Sequence, residues 1–155
     1  MVNKTYECHK SSIGSMDANV MALLAYIVSV VIGWIPGLRY FAWLAPLVIY
    51  FIEKDSAFVK FHAMQAFMLE VLGGVITFIL TVIIGGIVGA AMYNPYNAYA
   101  AVGITGIVAL LAGIISIIIT IFAIIAMVNA YRYKEYCIPI VGNITSKIVN
   151  KSEKK

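Results

Sequence analysis

Residues 71–131 read VLGGVITFIL TVIIGGIVGA AMYNPYNAYA AVGITGIVAL LAGIISIIIT IFAIIAMVNA Y, a run of 61 residues without one Asp, Glu, Lys or Arg. A helix that crosses a bilayer needs about 20 predominantly apolar residues, so this run is long enough for two such helices and a connection. The segment 93–99, which is rich in Tyr and Asn and contains Pro95, favours a turn at the membrane surface. We therefore expect spans over about residues 63–91 and 103–128.

The composition of the whole chain indicates the same class of protein. Hydrophobic residues make up 63% of the sequence and charged residues 12%, and the mean hydropathy is +0.96. Soluble domains average about 45–50% apolar and about 25% charged residues. This composition excludes a disordered chain, a nucleic-acid-binding module and a small disulfide-stapled secreted domain, and it disfavours a soluble enzyme. The predicted fold class is an all-α integral membrane protein.

The N-terminal half of the membrane region allows two interpretations. Residues 18–36 are long enough to span, and Pro36-Gly37 ends that helix. The next segment, residues 40–55, has only 13 uncharged residues in a row after Arg39, with Pro46 among them. Either the two segments are the first two spans of a four-transmembrane-helix bundle, or they form a short hairpin buried against protein. In both cases the membrane domain covers residues 18–131, between tails at residues 1–17 and 132–155.

The positive charges predict the orientation. One side of the membrane would hold both tails and the loop around residues 53–62, and the opposite side would hold Arg39 alone. The positive-inside rule then puts both termini in the cytoplasm, for a protein of the prokaryotic plasma membrane. The residues that produce this bias are Lys4, Lys10, Lys54, Lys60, Arg132, Lys134, Lys147, Lys151, Lys154 and Lys155.

The C-terminal tail predicts a further lipid contact. Residues 132–155 carry six Lys or Arg and two Glu, a net charge of +4. Val141, Ile144 and Ile148 have helical spacing after Pro139, which favours a short amphipathic helix lying at the membrane interface. Anionic lipid headgroups are the expected partners of its lysines.

Three polar residues around the start of the third span are candidate contact or polar sites. His62 and Gln65 are three residues apart and therefore share one helix face. Glu70 is the only acid within the spans predicted at 63–91 and 103–128, and an acid inside a membrane is by default a candidate functional residue. Its position close to the interface also fits simple anchoring.

Small residues recur along the two long apolar segments. Gly85 and Gly89 form a G-x-x-x-G pattern, and Ala109 and Gly113 repeat the spacing. Such flat faces allow two helices to approach closely. We expect them to mediate helix packing, either inside the bundle or with a second copy.

No pattern indicates catalysis, a metal or a cofactor. The nucleotide-binding, hydrolase and metalloprotease motifs do not occur in the sequence. Cys8 and Cys137 lie on the expected reducing side, so we expect free thiols there. The expectation is a protein that is not an enzyme and that has no catalytic, cofactor-binding or metal-binding residues.

Two motifs resemble a known family. Residues 60–66, KFHAMQA, after the stretch PLVIYFIEKD at 46–55, look like the central signature of the twenty-kilodalton component of the translocon at the inner chloroplast envelope and its prokaryotic relatives. Residues 135–142, EYCIPIVG, are similar to that family's closing motif, and the likeness extends over about residues 19–144. The resemblance implies a four-helix membrane protein and, in plastid members, a part in preprotein import. It carries over only a structural or contact role for His62, Gln65 and Pro139.

The leading hypothesis is therefore a translocon-like or membrane-assembly component that acts through protein contacts. A small ion or solute transporter or channel is the first alternative, motivated by Glu70 and the Pro46-broken second segment. A structural subunit of a larger membrane complex is the second. The expected partners are the lipid bilayer, other membrane proteins or a second copy, and no nucleic acid. The chain lacks a Ser- and Arg-rich transit peptide, which favours the prokaryotic branch of the resembled family.

Overall fold

A computed structural model describes residues 4–153 of the chain. Within that range the regular secondary structure is helical, with three short 3-10 helices, isolated β-bridges and no β-strand, and residues 4–17 and 132–140 lie outside the helices. The expected all-α fold is therefore confirmed for the described residues, whereas the outermost parts of both predicted tails, residues 1–3 and 154–155, lie outside them. The helices of the described range are α1 (Ala18–Gly33), α2 (Ala45–Ile52), α3 (Ala57–Tyr93), α4 (Ala98–Tyr131) and α5 (Val141–Glu153).

Two helices, α3 and α4, are long and apolar enough to cross a membrane. They contain 37 and 34 residues, and the most apolar part of each is exposed on the protein surface. A helix rises about 1.5 Å per residue, so each exceeds the roughly 30 Å of a hydrocarbon core. Both predicted spans of the C-terminal half fall within these helices.

The first two predicted spans are shorter than expected. α1 has 16 residues and α2 has 8, which correspond to about 24 Å and about 12 Å. Gly37 turns the chain with φ of +88°, a conformation that glycine adopts without strain. Pro46 lies in the first turn of α2, where proline is tolerated because its missing N–H would have no partner in the helix. The proline thus marks the start of a short helix, and neither segment has the length of a span.

The described residues divide into two compact units. One, which we call the polar-core unit, comprises residues 4–71 and 122–153; the other, which we call the apolar unit, comprises Leu72–Ile121. The polar-core unit contains α1, α2 and α5 together with the first part of α3 and the last part of α4. The polar-core unit is therefore built from two separate stretches of the chain.

Two apolar clusters form the core of the polar-core unit. One contains Phe58 and Val59 of α3 packed on α1 and α4; the other contains Ala63 and Met64 of α3, Tyr50 of α2 and Val149 of α5. The buried side of α5 therefore contacts protein, whereas its sequence pattern favoured a helix lying on the membrane. Tyr6 and Tyr133 cover the first cluster.

The first residues of the chain also pack into this unit. The backbone N–H of Tyr6 donates to the carbonyl of Tyr133 at 2.9 Å, and the N–H of Glu135 donates to the carbonyl of Lys4 at 2.9 Å. Tyr6 Oη donates to a carboxylate oxygen of Glu135 at 2.6 Å. The N-terminal segment is thus hydrogen-bonded to the segment that follows α4.

The first turn of α5 requires glycine at position 142. A Cβ at Gly142 would lie 2.6 Å from Cys137 Cα, a backbone atom that cannot move aside alone. We expect Gly142→Ala to lower the free energy of unfolding by about 2 kcal/mol, the usual scale for overpacking. Unfolding titrations in detergent micelles, followed by circular dichroism, measure this change.

Gly113→Ala is the matched control, because a Cβ at Gly113 meets no atom within 4 Å. In a helix that change is expected to be neutral or stabilising by up to about 1 kcal/mol. Equal losses in the two variants would contradict the close contact at Gly142.

Candidate functional site

His62 and Gln65 lie together on the buried face of α3, one turn apart, and both side chains are fully buried. Ser56 precedes this helix, and its Oγ accepts the N–H of Val59 at 3.2 Å, which caps the helix start. The cap and the apolar neighbours Phe58 and Phe61 fix the rotation of α3, so that the two polar side chains point into the protein.

His62 connects α1 to the segment after α4. Its Nε2 lies 3.2 Å from the carbonyl oxygen of Lys134, and its Nδ1 lies 3.1 Å from Tyr26 Oη. A carbonyl can only accept, so Nε2 carries the proton and donates, and in the neutral ring Nδ1 accepts from the tyrosine hydroxyl. Both nitrogens of a neutral imidazole are thereby satisfied.

Gln65 completes the same arrangement. Its Nε2 donates to the carbonyl of Tyr136 at 2.9 Å and to Tyr26 Oη at 3.1 Å, and its Oε1 accepts the N–H of Ile138 at 3.3 Å. We call these three side chains, Tyr26, His62 and Gln65, the polar lock. The lock holds residues 134–138 against α3 through side-chain to backbone hydrogen bonds.

The polar lock offers no free atom to a ligand. The ring nitrogens of His62 and the amide nitrogen and oxygen of Gln65 all have protein partners. Breaking these bonds to bind something else would leave buried carbonyl and N–H groups unsatisfied, at about 1–3 kcal/mol each. The arrangement suits holding chain segments together.

The other two predicted site residues lie apart from the lock. Glu70, half-buried on α3, accepts a hydrogen bond from Ser29 of α1 at 2.8 Å. Pro139 is exposed, and its carbonyl accepts the N–H of Val141 at 2.9 Å in the turn before α5. The structure therefore brings His62 and Gln65 together, but not Glu70 or Pro139.

A second polar cluster surrounds Glu53, to which sequence patterns give no role. This carboxylate ends α2 and is 1% exposed. One of its oxygens accepts from the hydroxyl of Ser11, and the other accepts from the backbone and hydroxyl of Ser12 at 3.1 and 2.7 Å. The second oxygen also accepts the N–H groups of Asp55 and Ser56 at 3.1 and 3.0 Å. The order Glu53-Lys54-Asp55-Ser56 indicates a helix end and a helix start, but nothing in the sequence links it to Ser11 and Ser12.

The Glu53 cluster predicts a specific sensitivity to acid. Burial by itself raises the pKa of Glu53, but the hydrogen bonds from Ser11, Ser12 and Ser56 outweigh it and lower the pKa from 4.5 to about 2. Between these two values the unfolded chain binds the proton and the folded chain does not, so stability falls as the pH drops from about 4.5 to about 2. Unfolding titrations across this range measure the slope.

Glu53→Gln is the control for the acid prediction. The amide keeps an acceptor oxygen at the same position but does not titrate, so this part of the pH dependence is expected to disappear. A wild-type slope that Glu53→Gln leaves unchanged would contradict the assignment to this residue.

A cavity of about 230 Å³ lies in the polar-core unit between the N-terminal segment, the start of α3 and α5. Its lining includes Tyr6, Phe61, Glu135, Cys137 and Asn150. Across residues 4–153, no three His, Cys, Asp or Glu side chains come together as a group that could hold a metal ion. Cys8 and Cys137 are free thiols.

The small residues of the apolar unit make no close helix contact. A Cβ added at Gly85, Gly89 or Gly113 would meet no atom within 4 Å, and Ala109 is exposed. The structure therefore does not use these positions to pack α3 and α4 within the apolar unit.

The sequence matches the model of one known protein family. Residues 17–145, which include α1 to α4, the polar lock and the start of α5, match the model of the magnetosome magnetite crystal formation protein family. The chain belongs to this family. No curated protein and no solved structure matches the chain.

The family assignment corrects the resemblance to the chloroplast envelope translocon component, which was wrong. In this member of the magnetosome magnetite crystal formation family, His62 and Gln65 of KFHAMQA form the polar lock, and EYCIPIVG is the segment that they hold. Both motifs therefore reflect internal packing between helices. Such packing is not specific to a translocon, so the motifs do not support a role in preprotein import.

Proposed function

We propose that this membrane protein takes part in magnetite crystal formation as a non-enzymatic assembly component of the magnetosome membrane, acting through protein contacts. The observation that carries the proposal is the family match over residues 17–145. The two long apolar helices support a permanent place in the membrane.

The described polar groups support a role without catalysis. The lock residues and Glu53 are engaged within the protein, so they are not available as general acids, bases or nucleophiles. Residues 71–131 of α3 and α4 contain no charged side chain that could accompany an ion across the membrane. A transporter or channel formed by one copy is therefore less well supported than an assembly component.

The proposed orientation favours protein contacts over direct binding of the mineral. With both termini in the cytoplasm, as the charge bias favours, the connection between α3 and α4 faces the opposite side. Residues 93–99 offer hydroxyl and amide groups there, with no carboxylate. Carboxylates are the side chains best suited to hard cations, so the connection is a poor template for iron oxide.

The role in crystal formation is tested by deleting the gene in a magnetosome-forming bacterium. Deleting the gene is expected to change crystal size or shape in electron micrographs while vesicles still form, and the wild-type gene is expected to restore the crystals. Unchanged crystals would refute the role in crystal formation.

Contact with proteins is tested separately by photocrosslinking. A photoreactive residue in place of Lys147, exposed on α5, is expected to capture other magnetosome-membrane proteins in native membranes. The control is the same residue in place of Ile107, which is exposed in the apolar unit and is expected to capture lipid. If the deletion alters the crystals but the residue in place of Lys147 captures no protein, the role in crystal formation stands and protein contact at α5 is rejected.

A further inference from the structure

The turn between α1 and α2 exposes an unusual set of large apolar side chains. Trp34, Tyr40 and Phe41 are 83%, 71% and 64% exposed. Ile35, Leu38 and Trp43 are exposed beside them, and Arg39 is the only charged residue between Asp17 and Glu53. We call residues 34–43 the aromatic tip.

Several backbone N–H groups of the aromatic tip are paired within the turn itself. The N–H groups of Arg39, Phe41 and Leu44 donate to carbonyls of the same turn at 2.9–3.1 Å, and Pro36 has no N–H to satisfy. The indole N–H of Trp43 donates to the carbonyl of Tyr40 at 2.9 Å. Internal pairing of this kind is what a segment needs where water is scarce.

Contacts with α3 fix the level of the tip along that helix. Trp43 stacks on Phe67 with ring centroids 5.9 Å apart, and Ser29, one turn before the end of α1, bonds to Glu70. The tip therefore lies close to the level of Glu70, the last charged residue of α3.

Beyond Glu70, α3 still has enough apolar length for a complete span. Residues 71–93 are 23 uncharged residues and rise about 35 Å, against a hydrocarbon core of about 30 Å. If this part of α3 crosses the core, the level of Glu70 coincides with the interface where α3 enters. Trp and Tyr are enriched at that level of membrane proteins, and an Arg there can reach lipid phosphates.

We infer that the aromatic tip docks into the headgroup and upper acyl region of one leaflet, the leaflet through which α3 enters. Its partner is phospholipid: the aromatic rings bury against upper acyl chains and Arg39 faces phosphate groups. α1 and α2, which run along α3, then enter the membrane only at their tip and do not span it. The inference concerns membrane docking and holds independently of the role in crystal formation.

Depth in the bilayer can be measured without altering the protein, because its only two tryptophans, Trp34 and Trp43, both lie in the tip. In proteoliposomes, their fluorescence is expected to be quenched most by lipids that carry a nitroxide high on the acyl chain. Stronger quenching by a nitroxide near the chain end would indicate a tip at mid-bilayer and overturn the inference. Absence of quenching by either lipid would overturn it as well.

A double substitution, Tyr40→Ser with Phe41→Ser, tests whether the exposed rings anchor the tip. Both rings are on the surface, so folding is expected to be retained while quenching by the shallow nitroxide decreases. Tyr96→Ser, exposed in the connection between α3 and α4, is the matched control and is expected to leave quenching unchanged. Equal quenching in the wild type and the double variant would count against docking through these rings.

The leaflet is identified with single cysteines in a Cys8→Ser, Cys137→Ser background. Arg39→Cys is expected to react with a membrane-impermeant maleimide from the same side as Asn143→Cys on α5, and not from the side of Asn97→Cys. Reaction from the side of Asn97→Cys would show that the first two segments cross the membrane. Reaction from neither side would show that the tip is buried in the core or covered by a second copy. Reaction from the side of Asn97→Cys and reaction from neither side would both overturn the inference.

Discussion

Replacing Glu53 with alanine is expected to lower the free energy of unfolding by about 4 kcal/mol, the largest single effect that we anticipate. The substitution removes the acceptor of two serine hydroxyls and three backbone N–H groups in a buried position. Ser11 and Ser56 are buried, and each of their donors costs about 1–3 kcal/mol when it loses a charged partner that alanine cannot replace. Ser12 and Asp55 are exposed, so water can satisfy their donors. Unfolding in mixed detergent micelles near pH 7 measures the loss.

Glu53→Gln separates the hydrogen bonds from the charge. The glutamine oxygen can keep the N–H groups of Ser12, Asp55 and Ser56, and its amide can donate to Ser11 Oγ, so we expect less than half of the loss seen with alanine. A loss in Glu53→Gln as large as in Glu53→Ala would mean that the negative charge itself matters most. No loss in either variant would contradict the buried cluster.

Gln65→Leu is expected to release the segment 134–138 from α3 and to lower the free energy of unfolding by about 3 kcal/mol. Leucine fills a similar volume but leaves the carbonyl of Tyr136 and the N–H of Ile138 without their partner. The local readout is Cys137, which is half-buried in the released segment. Its reaction with a thiol reagent is expected to become faster.

Two controls accompany the Gln65→Leu experiment. Cys8 is exposed, so its reaction rate is expected to stay the same in the variant. Tyr26→Phe removes only the hydroxyl shared by His62 and Gln65, and its effect is expected to be non-additive with that of Gln65→Leu because both belong to one network. Unchanged reactivity of Cys137 would show that the lock does not hold this segment.

The two long helices could be predicted from sequence because their signal is local. The uncharged run at 71–131 and the turn residues at 93–99 specify α3, α4 and their connection without reference to any distant residue. Helix length alone then decides that both can cross a membrane.

The lengths of the first two helices could not be predicted in the same way. Hydropathy counts the apolar residues of 18–36 and 40–55, but it does not distinguish a side chain that faces lipid from one that packs on α3. Met21 and Tyr50 are buried in the protein, whereas Val31 and Phe51 are exposed, although all four are apolar in sequence. The apolar pattern therefore combines side chains that pack on protein with side chains that are exposed, and it does not give the length of either helix.

The polar lock and the Glu53 cluster could be predicted only in part, because the partners of their residues are distant in the sequence. The i, i+3 spacing of His62 and Gln65 predicts a shared face, but their partners at 134–138 are about 70 residues away. The Glu53 cluster joins residues 41 and 42 positions apart through serines that fit no motif. Two short motifs resembled the wrong family because their residues serve internal packing, which is not specific to one function.

The discontinuity of the polar-core unit has a consequence for how the protein is made. Residues 4–71 leave the ribosome first, but their partners Tyr133, Lys134 and Tyr136 follow only after the whole of α4 has been synthesised. Until then the buried face of α3, with His62 and Gln65, lacks the carbonyl and N–H groups that satisfy it. The segment 134–138 can therefore reach its partners only in a chain whose α4 returns to the side on which α3 begins. We expect a chain in which α4 fails to return to keep the buried polar face of α3 without hydrogen-bond partners.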